Sequence, residues 1–471
     1  MPADVRDALR RGELPLLDEE ALAEYVVAQR WFGSKARQVV HLGVLDVVPL
    51  RLAPPLLAAV LVEARFGPGT HEVYQLPIGL RPASEGWTKG VIAEADGLTL
   101  YDALADPAQG HALLGLMRVD ARVRSQDAVS EFHWVDGVSD PGARVPARPM
   151  GAEQSNSSVV FGEALALKLY RRVEAGINPE LELLRFLTER GFRSIPALVG
   201  WYEYVGRVMD ATLGVLQEFL PSGRDGWELA LDELSTDPDA FLSRLNPLGR
   251  TTGELHSVLG SEATDPAFAP EEPSAESLGL LNATVDEQIE RIFVDLPDDN
   301  EAVAAIVGRG EEVREQLRTL THLGSAGKVI RTHGDYHLGQ TMLAARGWVI
   351  LDFEGEPART LPERRRKRSP LRDVAGMMRS FAYAASASEI LRGVAPPEAW
   401  EARAREEFLT GYLETVDSSL LPAGVHGIER LLSLFELEKA VYELRYELNN
   451  RPDWVRIPVA GILRLLEVPA T

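Results

Sequence analysis

Residues able to carry out acid–base and metal chemistry are concentrated in the last third of the sequence. Two apolar runs, at 328–330 and 348–351, predict short strands, and each is followed by a polar cluster. The first cluster contains Asp335 and, five positions later, Gln340, and the second begins with Asp352. A carboxylate can accept a proton from a hydroxyl group, and carboxylate and amide oxygens suit Mg²⁺.

The spacing of these three residues is that of the active-site loops of protein kinases, with Gln in place of Asn. In kinases an Asp accepts the proton of the acceptor hydroxyl, an amide five positions later binds a metal ion, and a second Asp opens a D-F-G turn that holds Mg²⁺. The pattern therefore predicts phosphoryl transfer, with Asp335 as the catalytic base and with Gln340 and Asp352 as metal ligands. Ordinary turn residues at strand ends are the alternative, which two matching clusters in the right order disfavour.

A hairpin near residue 160 is the predicted grip for the phosphates of ATP. A small-residue turn leads into one strand, and a tight turn at 162–163 leads into a second strand that carries Lys168. In kinases such a hairpin covers the nucleotide, and its lysine holds the phosphates. Since the hairpin has no G-x-G-x-x-G motif, hydroxyl and backbone donors must serve instead; they belong to Ser155, Asn156, Ser157 and Ser158.

The helix predicted to begin near Pro179 should supply an acid that pairs with Lys168. Glu180 and Glu182 both lie in its first turns. We prefer Glu182, because Phe186 lies one turn further along the same face and places Glu182 nearer the apolar flank. Glu180 would then be a first-turn acid favoured by the helix dipole.

The predicted hinge for adenine follows two further strand-like runs, at 198–204 and 213–220. A Pro-Ser-Gly sequence breaks the second run at 221–223. Backbone groups of Gln217, Glu218 and Phe219 would therefore meet the adenine ring. Beyond this point helical spacing dominates, and helices are predicted at 240–245, 249–259, 285–293, 301–323, 401–416 and 427–449.

One face of the last of these helices carries an ammonium group and two phenols. Lys439, Tyr442 and Tyr446 recur at intervals of three and four residues. Such a face suits the wall of a sugar site, where aromatic rings stack on the sugar, and a packed Tyr stripe is an equal alternative. Of the neighbouring polar groups, Asp373 is predicted to cap the N-terminus of a helix, and His256 is predicted to be a hydrogen-bonded packing residue.

The first 90 residues predict a small antiparallel sheet with one helix. The helix is predicted at 18–29 and the strands at 45–48, 58–62 and 73–77. The run RWFGSKAR at 30–37 could bind a sugar or a phosphate, but an aromatic pair beside a Gly turn favours a corner of the core. Further along, short helices are predicted at 101–104 and 112–117 and a Pro-rich connection at 141–149.

Composition narrows the classes of function. The 471 residues are 45% apolar and 25% charged, as in ordinary globular proteins, and the absence of Cys excludes disulfides and thiolate catalysis. A formal net charge of −22 disfavours a nucleic-acid surface. We therefore interpret the basic run at 364–373 as a loop paired with local acids. With no signal pattern and no apolar run long enough to span a bilayer, we expect a cytoplasmic protein without membrane contact.

Several motifs distributed over nearly the whole chain resemble those of the maltokinases. They are HGDYHLGQ at 333–340, DFEGEP at 352–357, SPLRDVAG at 369–376, EQSNSS at 153–158, GINP at 176–179, RWFG at 30–33 and KAVY at 439–442. The resemblance implies an α+β, bilobal fold like that of eukaryotic protein kinases, related to aminoglycoside phosphotransferases and carrying an extra N-terminal cap subdomain. The expected divisions are 1–90 for the cap, 91–220 for the small lobe with hairpin and hinge, and 221–471 for the mainly helical large lobe.

The same resemblance implies an activity and a substrate site. Maltokinases make maltose 1-phosphate from maltose and ATP, with Mg²⁺, in the pathway from trehalose to glycogen. A separate trehalose synthase would be the expected pathway partner. In addition to Asp335, the residues implied at the sugar site are His337, Arg372, Lys439, Tyr442 and Tyr446.

Three alternatives to a maltokinase stay open on sequence grounds. A glucosamine kinase, which forms glucosamine 6-phosphate, shares the scaffold and the catalytic loop. An aminoglycoside phosphotransferase would use acidic residues to bind a cationic drug. A glucan-binding pseudokinase would have no need to keep the acid, amide, metal and lysine positions together, and their retention disfavours it.

Overall fold

The chain, seen in a computed structural model, divides into two compact units. The first comprises residues 1–188 and 196–221, and the second comprises 189–195 and 222–471. The structure describes residues 3–467, apart from 15, 68, 139–141, 143–144, 152–154, 298–299 and 322–325. Among these residues no helix is both long enough and apolar enough to cross a membrane.

The first unit is mainly antiparallel sheet. Its strands are β1 (Val39–Arg51), β2 (Leu56–Phe66), β3 (His71–Pro82), β4 (Val91–Ala95), β5 (Leu98–Asp102), β6 (Arg122–Arg124), β7 (Ala128–Trp134), β8 (Ala147–Met150), β9 (Asn156–Phe161), β10 (Leu165–Tyr170), β11 (Arg172–Val173), β12 (Leu198–Gly206) and β13 (Asp210–Glu218). Its helices are α1 (Ala3–Arg10), α2 (Glu19–Ala28), α3 (Pro107–Arg118) and α4 (Pro179–Glu189).

These strands form two sheets in the described part of the unit. The first has the order β1-β2-β3-β5-β4, with β11 paired to β3, and the second has the order β6-β7-β12-β13-β10-β9-β8. Strand β2 is apolar along most of its length because both of its faces are covered. Its even-numbered residues from Leu56 to Ala64 join the core that contains Trp31 and Phe32, while Leu57, Ala59 and Leu61 join the core of the second sheet.

The strands predicted within the first 90 residues and the hairpin of β9 and β10 are confirmed. Trp31 and Phe32 are buried, as expected for a core corner. The boundary predicted at residue 90 falls inside the first sheet, which continues to the end of β5. The helix predicted at 101–104 was wrong, because the chain there ends a strand and makes only a 3-10 turn, Ala103–Ala105.

The second unit is mainly helical. Its helices are α5 (Gly226–Thr236), α6 (Pro238–Leu259), α7 (Ala275–Val294), α8 (Gly310–Thr321), α9 (Leu361–Arg364), α10 (Leu371–Arg392), α11 (Trp400–Thr415), α12 (Val425–Asn450) and α13 (Arg456–Leu466). A small antiparallel sheet contains β14 (Arg224–Asp225), β15 (Thr341–Ala344) and β16 (Gly347–Ile350), in that order. Helices α6 and α11 approach closely at Gly249 and Gly411, where added Cβ atoms would lie 2.0 Å from Phe408 O and 2.1 Å from Asn246 O.

Three predictions for this unit need correction. Residues 328–330 form no strand, because Val329 and Ile330 each make a single bridge, to Glu271 and to Arg368. The helices predicted at 240–245 and 249–259 are one continuous helix, α6, despite the internal Pro247. The helix predicted at 301–323 is a short 3-10 turn followed by α8, and residues 322–323 lie outside the described residues.

Candidate active site

The loop that carries Asp335 is fixed to its neighbours on both sides. His333 Nε2 lies 2.8 Å from the carbonyl oxygen of Leu351, which ties this loop to the second polar cluster. The side chain of Tyr336 points the other way, into the core, where its hydroxyl lies 2.9 Å from that of Thr252. Gly334 between them has φ +87°, a backbone conformation that side chains disfavour. The loop therefore presents Asp335 from a rigid base.

Asp373 is the buried anchor of this loop. Its carboxylate accepts the backbone N–H of His333 at 2.8 Å and of Gly334 at 3.0 Å. His256 Nε2 lies 3.2 Å from the same carboxylate, and His256 Nδ1 lies 3.1 Å from the Tyr412 hydroxyl. Burial raises the pKa of Asp373, but the hydrogen bond and charge of His256 and the backbone donor outweigh burial, so the net pKa is lowered.

The sequence missed this role for Asp373. The predicted N-cap was wrong, because α10 begins at Leu371 with Pro370 before it, so Asp373 lies within the first turn. His256 is buried between two polar partners, so the prediction of a packing histidine is confirmed. An Asp near the start of a helix looks the same in the sequence whether it is an N-cap or a first-turn acid. The contact between Asp373 and residues 333–334 arises only when the chain folds.

Gln340 and Asp352, the predicted metal ligands, lie side by side. Gln340 Nε2 donates to Asp352 Oδ2 at 3.3 Å. The backbone N–H of Leu351 donates to the backbone carbonyl oxygen of Gln340 at 2.9 Å. Asp352 has φ +59°, unusual for a residue other than Gly and typical of functional turns. The pair offers the oxygen donors that Mg²⁺ requires, so these residues fit the metal.

Asp335 shares the wall of a cavity with three of the predicted sugar-binding residues, Arg372, Lys439 and Tyr442. Lys439 Nζ lies 3.6 Å from Asp335 Oδ1 and 4.0 Å from Glu356 Oε1, and Tyr442 lines the same cavity from the next turn of α12. The cavity volume is about 80 Å³. This is roughly the space of a few water molecules.

Lys439 keeps its positive charge in this cavity. Burial lowers the pKa of Lys439, but the carboxylates of Asp335 and Glu356 outweigh burial and the net pKa is raised. The pKa of Tyr442 is also raised, by burial first and then by Glu356. At neutral pH the wall of α12 therefore presents an ammonium group and an un-ionised phenol.

Two arginines of the cavity lining are paired with carboxylates of the same lining. Arg372 donates to Glu438 and Arg359 to Glu356. The guanidinium of Arg372 also lies over the ring of Phe435, 4.9 Å from its centre. Arg372 thus lies at the cavity wall with its charge already balanced by Glu438, and its contact with a sugar stays a prediction.

The other two predicted sugar residues lie outside the lining of this cavity. Tyr446 is 45% exposed, and the guanidinium of Arg451 stacks on its ring at 5.4 Å. His337 Nδ1 accepts the N–H of Gly339 at 3.1 Å. Burial lowers the pKa of His337, and although Asp335 opposes this, Lys439 adds to it, so the imidazole is neutral at pH 7.

In the first unit, Lys168 pairs with the first acid of α4. Lys168 Nζ lies 2.9 Å from Glu180 Oε2, and the Tyr170 hydroxyl donates to the same oxygen at 2.8 Å. Glu180 is thus a partner of Lys168 in the structure, and the preferred pairing of Lys168 with Glu182 stays a prediction. The physical reason for the pair with Glu180 is that Cα–Cβ bonds tilt toward the N-terminus of a helix, so the acid nearest that end extends beyond α4 toward β10.

The predicted phosphate donors lie along β9, where Ser158, Ser157 and Asn156 are opposite residues 168, 169 and 170 of β10. Ser157 Oγ accepts from Arg171 Nε at 2.8 Å, whereas Ser155 is exposed. Two members of the EQSNSS motif, Glu153 and Gln154, lie outside the described residues. The segment keeps its polar character, and phosphate contact by these residues stays a prediction.

The predicted hinge ends strand β13. The backbone N–H of Glu218 donates to the Ala197 carbonyl at 3.0 Å, and that of Phe219 donates to the Ala164 carbonyl at 2.8 Å. Gln217 Oε1 is buried and has no hydrogen-bond partner among the described residues. Because two backbone donors are already used, contact with adenine would have to come from other groups of this segment.

Two family models match the chain. Residues 25–106 match the maltokinase N-terminal cap domain, and residues 146–404, more than half of the chain, match the phosphotransferase enzyme family. The chain belongs to the phosphotransferase enzyme family. The predicted kinase-like α+β fold with an N-terminal cap, and the prediction of an enzyme that transfers phosphoryl groups, are both confirmed.

The relatives of this phosphotransferase include two proteins named glucosamine kinase. The one from Streptacidiphilus jiangxiensis is 25% identical over 411 residues, which are 78% of this chain and 91% of that protein. The one from Mycolicibacterium smegmatis (strain ATCC 700084 / mc(2)155) is 27% identical over 338 residues, 68% of this chain and 79% of that protein.

Two solved structures have the same fold as this phosphotransferase. A glucosamine kinase in complex with glucosamine, ADP and inorganic phosphate superposes with a TM-score of 0.69 at 19% identity, covering 94% of this chain and 98% of that one. Crystal form B of a glucosamine kinase gives a TM-score of 0.71 at 20% identity, covering 94% and 99%.

Proposed function

We propose that this phosphotransferase is an ATP- and Mg²⁺-dependent sugar kinase whose acceptor is a neutral sugar, with maltose as the substrate and maltose 1-phosphate as the product. The observation that carries the proposal is the cavity in which Asp335 faces Lys439 and Tyr442 of α12. A carboxylate on a rigid loop, opposite a polar and aromatic wall, is suited to accept the proton of a sugar hydroxyl.

Each predicted residue has a distinct part in this reaction. Asp335 orients the acceptor hydroxyl and takes its proton, and Lys168, held by Glu180, grips the phosphates. Gln340 and Asp352 would hold Mg²⁺, which neutralises the charge that develops on the transferred group. Most of the rate would come from positioning and charge neutralisation, because the transition state of phosphoryl transfer is loose and highly charged.

The charges of the cavity favour a neutral sugar over an aminosugar. Glucosamine brings an ammonium group, which needs a carboxylate without a cation of its own. Here Asp335 and Glu356 face Lys439, and Glu438 is paired with Arg372. An ammonium group would have to displace one of these cations, whereas the hydroxyl groups of maltose need only hydrogen-bonding partners.

Glucosamine is the second candidate acceptor. It is favoured by one observation, that the two relatives described above are named glucosamine kinases, one of them matched over 91% of its length. The match of residues 25–106 to the maltokinase cap domain points the other way. Identities of 25–27% leave room for a change in the few side chains that decide the acceptor.

The test is ADP formation with ATP and Mg²⁺ by the wild-type enzyme and by Asp335→Asn. We expect ADP only when a sugar is present, and maltose should be the best acceptor in a panel with glucosamine, glucose and kanamycin. Asp335→Asn should bind ATP normally and lose at least about a hundredfold of kcat, the range for general-base catalysis. Near-normal turnover by that variant would exclude Asp335 as the base, and preference for kanamycin would indicate a drug-modifying enzyme.

A further inference from the structure

A second cavity of the helical unit lies among α10, α11 and α13. Its volume is about 400 Å³, which is in the range of small-molecule sites. Its lining includes Arg379, Glu389, Glu401, Arg456, Gly461 and Arg464, none of which has a part in the proposed sugar reaction.

Arg379 is the group that makes this cavity chemically unusual. Its side chain is 1% exposed, and its Nε and Nη2 donate to Glu443 at 3.0 and 2.7 Å. Its third nitrogen, Nη1, is also buried but has no hydrogen-bond partner among the described residues. A guanidinium group can only donate hydrogen bonds, and a buried donor without an acceptor is costly. Nη1 therefore calls for an oxygen acceptor from inside the cavity.

Gly461 lies directly against this nitrogen at the wall of the cavity. A Cβ atom at position 461 would lie 2.1 Å from Arg379 Nη1, which is closer than any real contact. A glycine in the middle of α13 lowers helix stability relative to alanine. Here the missing Cβ leaves the room in which Nη1 packs against α13 at the wall of the cavity.

The rim of the cavity supplies two further guanidinium groups. Arg456 pairs with Glu389 at 3.0 Å, and both side chains are about half exposed, at 47% and 52%. Arg464 contacts Glu401 and Glu436. Because exposed ion pairs contribute little to stability, an incoming oxyanion could replace Glu389 on Arg456 without a large penalty.

From this arrangement we infer that the cavity binds a small oxyanion, either a phosphate group or a carboxylate of metabolite size, on Arg379 Nη1 and Arg456. The site is distinct from the cavity of Asp335, and its ligand need not be a substrate. The inference does not depend on the identity of the sugar.

Calorimetric titration of the full chain with inorganic phosphate, and separately with acetate, tests this inference. We expect binding of at least one of the two, weakened about tenfold or more in Gly461→Ala and in Arg456→Gln, as for loss of a charge-assisted hydrogen bond. Arg456→Gln keeps the inference testable if Gly461→Ala fails to fold, because Arg456 lies at the exposed rim. Arg403→Gln is the matched control, because Arg403 is an exposed arginine paired with Asp239 outside the cavity.

Crystals soaked with selenate would locate the anion by its anomalous signal. A peak beside Arg379 Nη1 is the expected result. Equal affinities in the wild-type enzyme and both cavity variants, or selenate bound only elsewhere in the molecule, would overturn the inference.

Discussion

Asp373 gives the sharpest prediction about how the catalytic loop is held. The substitution Asp373→Asn keeps the shape of the side chain but replaces one carboxylate oxygen by an NH₂ group. That group would face a donor, either a backbone N–H of residues 333–334 or the ring of His256. Losing one buried, charge-assisted hydrogen bond costs about 1.5–3 kcal/mol, so the free energy of unfolding of the helical unit should fall by about that amount.

The same substitution should lower kcat. Displacement of the loop by about 1 Å can cost on the order of a hundredfold in rate, so we expect a 10- to 100-fold fall in kcat with little change in the KM for ATP. Urea unfolding and ADP release measure the two effects. Glu389→Gln is the control, because its carboxylate lies on the same helix in an exposed ion pair and should change stability by less than about 0.5 kcal/mol.

The stability effect of Asp373→Asn should depend on pH in one direction. The folded state lowers the pKa of Asp373, so its stabilising contribution is present above the unfolded pKa, about 3.9. It is lost as the pH falls through the lower folded pKa. The difference in free energy of unfolding between wild type and Asp373→Asn should be constant above about pH 5 and should shrink at more acid pH. A change in the free energy of unfolding below about 0.5 kcal/mol, together with a kcat within about twofold of wild type, would refute the role assigned to Asp373.

Two further predictions concern nucleotide and sugar contacts. Glu180→Gln should lower kcat/KM for ATP by about tenfold or more, the range for loss of a charge-assisted pair. Glu182→Gln should lower it less. A larger loss of kcat/KM in Glu182→Gln than in Glu180→Gln would favour Glu182 as the partner of Lys168. Tyr442→Ala should raise the KM for maltose by about five- to a hundredfold, corresponding to about 1–3 kcal/mol, with the KM for ATP unchanged. Tyr446→Ala, outside the cavity, should have a weaker effect on the KM for maltose, and a larger effect than that of Tyr442→Ala would place the sugar further along α12.

Local sequence signals predicted the parts of the site that are close together along the chain. Asp335 and Gln340 are five residues apart in one loop, and Asp352 follows β16, so their spacing alone suggested their arrangement. Lys439 and Tyr442 lie on one helical face, which the three-residue interval predicted. That this face meets Asp335 came from the family resemblance, and the structure brings the three residues together.

The features that the sequence did not predict depend on contacts between distant segments. Asp373 holds a loop 40 residues away, and no local pattern distinguishes this from helix capping. The choice between Glu180 and Glu182 depends on how the first turn of α4 faces β10. The apolar run at 328–330 resembles a strand, but the segments beside it offer only single-residue bridges.

The measurement that tests the central proposal most directly is kcat/KM for maltose against kcat/KM for glucosamine, determined with the wild-type enzyme under one set of conditions. Asp335 is already paired with Lys439, and the neighbouring Glu438 is paired with Arg372. We therefore predict that kcat/KM is higher for maltose than for glucosamine by at least about tenfold, equivalent to about 1.4 kcal/mol. A higher kcat/KM for glucosamine would contradict the proposal of a neutral acceptor.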